Sequence, residues 1–396
     1  MSSNASTLTQ TVRASLESDS QHGAVVPPLH LSSNFTFQEF GQARQYDYTR
    51  SGNPTRDALA DALSTLEEGA GASVTASGMA AITLVCQLLS PGDLLVAPHD
   101  CYGGTFRLFE TLAEKGHFKL LFVDQTNELA LNDALQRQPK LVWVETPSNP
   151  LLRVVDLKAI IRGAKAVGAL VAVDNTFLSP ALQQPLKLGA DLSIHSTTKY
   201  LNGHSDVVGG AVVSRTQDLA DLIKDWSNCL GLTGAPFDSY LTLRGVRTLH
   251  ARIRQHEENA LAVATFLEAD NRVSRVYYPG LKTDPGHRLA SEQQSGFGGM
   301  VSFDLDCDAC CIRTFAEQLQ FFSLAESLGG VESLVCHPSS MTHAPLSEEA
   351  KATAGIGPGL IRLSVGIEQT DDLLSDLDRA LSLATVANKA RRASAA

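Results

Sequence analysis

Five short apolar-cored runs follow one another through the middle of this 396-residue chain: LLVAP (94–98), KLLFVD (119–124), LVWVE (141–145), ALVAVD (169–174) and DLSIHS (191–196). Segments of helical spacing alternate with them, among them DALADALSTLEE (57–68), ASGMAAITLVCQLL (76–89) and RLFETLAEKG (107–116). Strands that are apolar on both faces must be covered on both faces, and intervening helices supply that cover. The pattern predicts an α/β fold, with a mostly parallel central sheet in a large domain over about 61–250. Beyond 250, IRQHEENALAVATFLE and DDLLSDLDRALSLA have helical spacing, while RVYY, MVSFDL and LIRLSVG read as strands. They predict a smaller C-terminal α+β domain over 251–396. Residues 1–60 are irregular yet carry Phe35, Phe37, Phe40, Tyr46 and Tyr48. A solvated tail has no use for so many aromatics, so this segment is read as an N-terminal arm lying on another surface, such as a neighbouring subunit.

Composition removes several function classes. The 32 Lys and Arg against 43 Asp and Glu leave a net charge of −11, opposite to the basic excess of a nucleic-acid binder. No apolar run reaches the roughly 18 residues that cross a bilayer. The first twenty residues lack the basic start and apolar stretch of a signal peptide, so a cytoplasmic location and no membrane partner are expected. Seven cysteines, an odd number, disfavour a disulfide scaffold. Cys307, Cys310 and Cys311 in CDACC resemble half a zinc site without its other half. No metal is expected, and these residues read as small, partly buried thiols.

The polar clusters PHDCYGG, ETPSNP, DNTF and HSTTKYLNGHSD follow the apolar runs, where open α/β sheets bind ligands. Within them, Lys199 follows a strand and stands among Ser196, Thr197 and Thr198. A surface lysine is one reading; a Schiff-base lysine beside phosphate-binding hydroxyls is the other. Asp174 ends the preceding strand. A helix N-cap is the plain reading, but a partly buried carboxylate there needs a cation, and the ring nitrogen of pyridoxal phosphate is such a partner. Gly78 and Met79 open a helix whose first N–H groups suit a phosphate. Tyr102 offers a ring for stacking on a planar cofactor. Arg362, mid-strand, would need an anion if buried, and an amino-acid α-carboxylate matches its fork. No GxGxxG or GxxxxGK[ST] occurs in a nucleotide-binding context, which weakens a dehydrogenase or nucleoside triphosphatase reading. Cys101 has no recognisable paired base for nucleophilic work.

The runs YDYTRSGNPTR, ASGM, DCYGGTFR, ETPSNPLLRVVD, DNTFLSPALQQPLKLGADLSIHSTTKYLNGHSDVVGG, MTHA and IRLSVGIE resemble the cystathionine γ-synthase branch of the Cys/Met-metabolism pyridoxal-phosphate enzymes, over about residues 20–385. The resemblance implies fold type I and a homotetramer of two tight dimers with active sites shared between subunits. It implies Lys199 as the Schiff-base lysine, Asp174 as partner of the pyridine nitrogen, and Tyr102 as a stacking ring that assists proton transfer. Gly78, Met79, Ser196 and Thr198 match the phosphate cradle. Tyr48 and Arg50 match the arm reaching the neighbouring subunit's cofactor. Arg362 matches the substrate-carboxylate clamp, with Ser327 and Asn149 beside it, and Glu326 and Arg107 match positions near the distal end of the substrate. The activity implied is γ-replacement, joining O-succinyl- or O-acetyl-homoserine with L-cysteine to give L-cystathionine. Cleavage of cystathionine by a γ-lyase is the alternative, and Ser51 after Arg50 leaves the acyl group open. The joint presence of Lys199, Asp174, Tyr102 and Arg362 speaks against a binding protein that has lost its chemistry.

Overall fold

A computed structural model describes residues 5–307, 309–344 and 346–395, without the side chains of residue 310 and of 387–395. Its larger sheet contains β1 (Gly71–Thr75), β2 (Leu94–Pro98), β3 (Lys119–Val123), β4 (Leu141–Glu145), β5 (Leu170–Asp174), β6 (Leu192–His195) and β7 (Gly210–Ser214). They lie in the order β1-β7-β6-β5-β4-β2-β3. The five strands from β6 to β3 are parallel, whereas β7 runs antiparallel to both of its neighbours. The sheet is therefore mostly parallel, with β1 and β7 as an added edge.

Alternate residues of the apolar runs enter different cores. Val142, Val144, Val171 and Val173 join one cluster; Leu141, Trp143, Ala172, Leu192 and Ile194 join another on the opposite face. Helices α1 (Thr7–Val12), α2 (Pro54–Glu67), α3 (Gly78–Cys86), α4 (Gly103–Glu114), α5 (Glu128–Gln136) and α6 (Leu157–Ala166) precede or separate the strands. Asn53 starts α2 by accepting from Thr55 N and Arg56 N, and Pro54 fits the first turn. Ser77 likewise caps α3 through Ala80 N. Helix α2 thus begins inside the segment read as the arm, and α1 adds a short helix to it.

The helix Leu249–Ala269 leads out of the first unit. Its Leu249 and Ile253 belong to the sheet's core, while Ala260, Val263 and Leu267 belong to the next one. That next core backs a second sheet of β8 (Val273–Tyr277), β9 (Met300–Leu305), β10 (Phe322–Leu324), β11 (Ser333–Cys336) and β12 (Leu360–Ser364), ordered β10-β11-β12-β9-β8. The helix Thr370–Ala395 closes the chain. Among the described residues, no helix is long and apolar enough to cross a membrane.

One cysteine expectation is corrected. Cys307 and Cys311 form a disulfide rather than standing as thiols. A spacing of four brings their Cα atoms to 5.9 Å, inside the span a disulfide bridges. Asp308 and the Cys310 side chain lie outside the described residues.

Candidate active site

The carboxyl ends of β4, β5 and β6, the start of α3 and the middle of β12 line a cavity of about 390 Å³. Lys199 stands in the turn after β6. Its backbone N–H donates to Ser196 O (3.2 Å) and its carbonyl accepts from Gly203 N (2.8 Å). The side chain is half-buried, unlike the exposed lysine of the plain sequence reading, and Nζ donates to Ser327 Oγ at 2.7 Å. Burial, helped by the Arg362 charge and opposed by Glu326, lowers its pKa from 10.5 to about 8. Ser327 has φ +90°, a backbone conformation side chains rarely adopt. There its hydroxyl meets Lys199 while its carbonyl accepts from Arg362 Nη2 at 3.0 Å.

Asp174 ends β5 and accepts from Thr176 N at 3.1 Å. Burial raises its pKa, against the Thr176 hydrogen bonds and the His195 charge. Among the described residues it forms no ion pair, so a carboxyl lining the cavity has room for a cationic ring nitrogen. The first-turn N–H groups of Gly78 and Met79 have no acceptor within their helix and line the same cavity with Ser196 and Thr198. A Cβ at Gly78 would stand 2.8 Å from Ser196 Cβ, so glycine permits the close approach of α3 to the Lys199 turn. Cationic-nitrogen partner, amine and anion cradle thus fit a flat phosphorylated pyridine aldehyde.

Tyr102 N-caps α4 and lines the cavity, with the residue 40% exposed. Burial and then the Glu326 charge push its phenol up; Arg107 and Arg362 oppose them. Arg362 is buried mid-strand in β12. Its Nη1 donates to Asn149 Oδ1 at 2.8 Å, and its Nε has no partner. Asn149, Glu326 and Ser327 line the cavity as the sequence reading expects.

Arg107, expected near the substrate, is not brought into it, and Tyr48 and Arg50, expected to reach a neighbouring subunit's site, do not line this one. Arg107 is exposed on α4 and acts on the Tyr102 phenol through its charge. Tyr48 and Arg50 lie away on the arm, where Arg50 Nη1 donates to Asn228 Oδ1 (2.6 Å) and Asn228 O (2.8 Å). Conversely, Glu145, Thr176, Phe177 and Thr342 line the cavity although the sequence reading does not single them out. Glu145 carries the same signal as Asp174, an acid closing an apolar run, and that signal is enough to find it. Cys101 is buried, and burial with the nearby Glu145 charge raises its thiol well above the usual range, which leaves it inert.

The chain is similar to several known proteins. The chain is 55% identical over 368 residues to the cystathionine γ-synthase of Escherichia coli (strain K12), covering 93% of this chain and 95% of that protein. It is 45% identical over 374 residues to the cystathionine γ-lyase of Dictyostelium discoideum, covering 94% and 97%. A crystal structure of cystathionine γ-synthase from Xanthomonas oryzae pv. oryzae, in complex with aminoacrylate and cysteine, superposes with a TM-score of 0.96 at 59% identity, covering 97% of this chain and 99% of that one. The family model described as Cys/Met metabolism PLP-dependent enzyme matches residues 8–382, so the amine, acid and anion cradle described above belong to a pyridoxal-phosphate enzyme, and the chain is a member of the Cys/Met-metabolism family.

Proposed function

We propose that this enzyme catalyses γ-replacement, joining an activated homoserine ester with L-cysteine to give L-cystathionine. The observation that carries the reading is one cavity holding Lys199, Asp174, Tyr102, Arg362 and Glu326 together, in a chain most of whose length aligns with the Escherichia coli synthase. Pyridoxal phosphate, when bound, supplies an electron sink for charge that develops on the substrate. Asp174 would hold its ring nitrogen; Gly78, Met79, Ser196 and Thr198 its phosphate; Lys199 its aldehyde; and Tyr102 one face of its ring.

Arg362 binds the α-carboxylate of the amino-acid substrate, its guanidinium pre-aimed by Asn149 and the Ser327 carbonyl. Lys199 Nζ, once free, moves protons at the substrate Cα, and the Ser327 hydroxyl orients it. Tyr102 holds a proton at its phenol oxygen beside this centre. Glu326 offers an anion to the distal end of the substrate, while Arg107 bears on the site through its charge on the Tyr102 phenol.

A lysine pKa of about 8 makes Nζ neutral in roughly a tenth of molecules at pH 7, against a few in ten thousand for an ordinary lysine. Depression favours the neutral form, so reactivity appears at lower pH than usual. In cofactor-free protein, modification of Lys199 by an amine reagent should rise about tenfold per pH unit and level off above about pH 8. Mass spectrometry of the Lys199 peptide checks this; a rise continuing to pH 10 contradicts it.

The arm completes the site from a second copy of the chain, in a homotetramer of two tight dimers. Val25, Leu31, Phe37, Phe40 and Tyr48 are exposed on it, an apolar surface that a neighbour would cover. Arg50→Ala should then raise the pyridoxal-phosphate dissociation constant about tenfold, the loss of one charge-assisted hydrogen bond. Unchanged affinity, measured by absorbance titration, refutes the shared site.

The test of the function is product analysis. Cysteine is offered with the succinyl ester or the acetyl ester of homoserine, and cystathionine is offered alone. Accumulating cystathionine supports the synthase and names the donor. Conversion of cystathionine to cysteine and 2-oxobutyrate, with no synthesis from either ester, makes the enzyme a γ-lyase, like the Dictyostelium relative by name.

A further inference from the structure

Glu145 and Asp174 end adjacent strands and face each other directly across the β4–β5 ladder. Both line the cavity. Asp174 has a task in the reaction above, whereas Glu145 has none. Glu145 is nevertheless buried, and a carboxyl in that position is costly unless its oxygens find donors.

Each oxygen finds one. Oε2 accepts from Tyr102 N at 2.9 Å, and Oε1 accepts from Asn149 N at 3.1 Å. The first donor belongs to the residue whose ring lines one wall of the cavity. The second belongs to the residue whose amide oxygen accepts from Arg362. One side chain therefore ties together two segments, one 43 residues from it in the chain and the other 4.

We propose that Glu145 is a positioning residue whose two carboxyl oxygens set the gap between the Tyr102 ring and the Asn149–Arg362 clamp, matching the place of the planar cofactor to that of the substrate carboxylate. The inference rests on the function proposed above. Glutamate suits the task by shape. Glutamine keeps one acceptor and turns an N–H₂ toward the other backbone N–H, so one tie is lost. Aspartate keeps a carboxyl group beside Asp174 but is one methylene shorter, so it cannot reach both amides. The aspartate variant thereby separates reach from the mere presence of a carboxyl group.

The experiment compares wild type, Glu145→Asp and Glu145→Gln, each loaded with pyridoxal phosphate. The readouts are visible circular dichroism of the bound cofactor, KM and kcat for the amino-acid substrates, thermal melting, and amide hydrogen exchange of peptides spanning Tyr102 and Asn149. Both variants should keep the cofactor absorbance, change the visible dichroism and exchange faster in both peptides. The KM for the homoserine ester should rise about tenfold to a hundredfold, the effect of displacing a positioned group by about 1 Å. Lower melting with KM, kcat and dichroism unchanged would reduce Glu145 to a structural residue and overturn the proposal. A Glu145→Asp variant indistinguishable from wild type would overturn it, since a carboxyl group without the reach would then suffice. If neither variant folds, rapid exchange of the Tyr102 and Asn149 amides in the wild type overturns it, and protection of both supports it. Wild-type protein that binds no pyridoxal phosphate brings down the functional reading itself, and the proposal with it.

Discussion

Lys199→Ala should lose more than about 10³-fold in kcat/KM, the scale of a positioned proton-transfer group, while the protein stays folded. The turn that carries the residue is held by backbone and neighbouring side chains, which alanine leaves in place. Asn202 N donates to Thr197 O at 2.9 Å, and Gly203 N donates to Lys199 O at 2.8 Å. Gly209 N donates to Thr198 Oγ1 at 3.0 Å. The buried Arg252 guanidinium donates to the carbonyls of Tyr200 and Gly245, each at 2.8 Å. Against these, the lysine side chain itself contributes one hydrogen bond, to Ser327 Oγ. A melting temperature within about 4 °C of wild type is expected, equivalent to about 1 kcal/mol in a domain of this size or smaller. Steady-state turnover and a thermal melt on the same preparation check both halves. Retained full turnover would sink the assignment of Lys199, and so would a variant that still holds pyridoxal phosphate covalently.

This centre is legible in the sequence because of the kind of strand that carries it. Runs such as LVWVE and ALVAVD are apolar at consecutive positions, so they must be buried on both faces, and a parallel sheet then puts their carboxyl ends at a ligand site. Asp174 and Lys199 follow from that step. Strands β1 and β7, GASVT and GAVVS, do not stand out in the same way, because small residues and glycine give little β signal. Their place at the edge is set by pairing across about 140 residues, with Gly71 opposite Ser214.

Glu145 closes LVWVE as Asp174 closes its own run, so its place at the site is legible, but what it holds there is not. Its two donors come from the start of α4 and from the Asn149 turn, which only the folded chain brings together. Arg107 shows the converse, since a matching position in the chain does not bring it to the cavity wall. The Cys307–Cys311 bond is silent in the sequence because counting cysteines says nothing about the 5.9 Å between two Cα atoms.

Arg362→Lys should raise the KM for the homoserine ester about a hundredfold and change kcat far less. The reason lies in what surrounds the guanidinium. Arg362 is paired across the ladder with Cys336 on one side and Ser302 on the other, and the residue is 2% exposed. Two of its nitrogens donate to neutral oxygens, Asn149 Oδ1 and Ser327 O, and Nε has no partner. A buried cation satisfied only by neutral groups still needs an anion, and the planar fork matches a carboxylate with two parallel bonds. Lysine brings a point charge that cannot keep Asn149, Ser327 and a carboxylate at once. Losing one or two bonds to charged groups, at about 1.5–3 kcal/mol each, corresponds to the hundredfold expected. A KM unchanged in Arg362→Lys would remove the clamp. Arg362→Gln adds a second, independent readout, because Lys199 owes its low pKa first to burial and then to the Arg362 charge. Dropping that charge should move the labelling profile of Lys199 in cofactor-free protein above pH 8, while Arg362→Lys, which keeps the charge, should leave it in place.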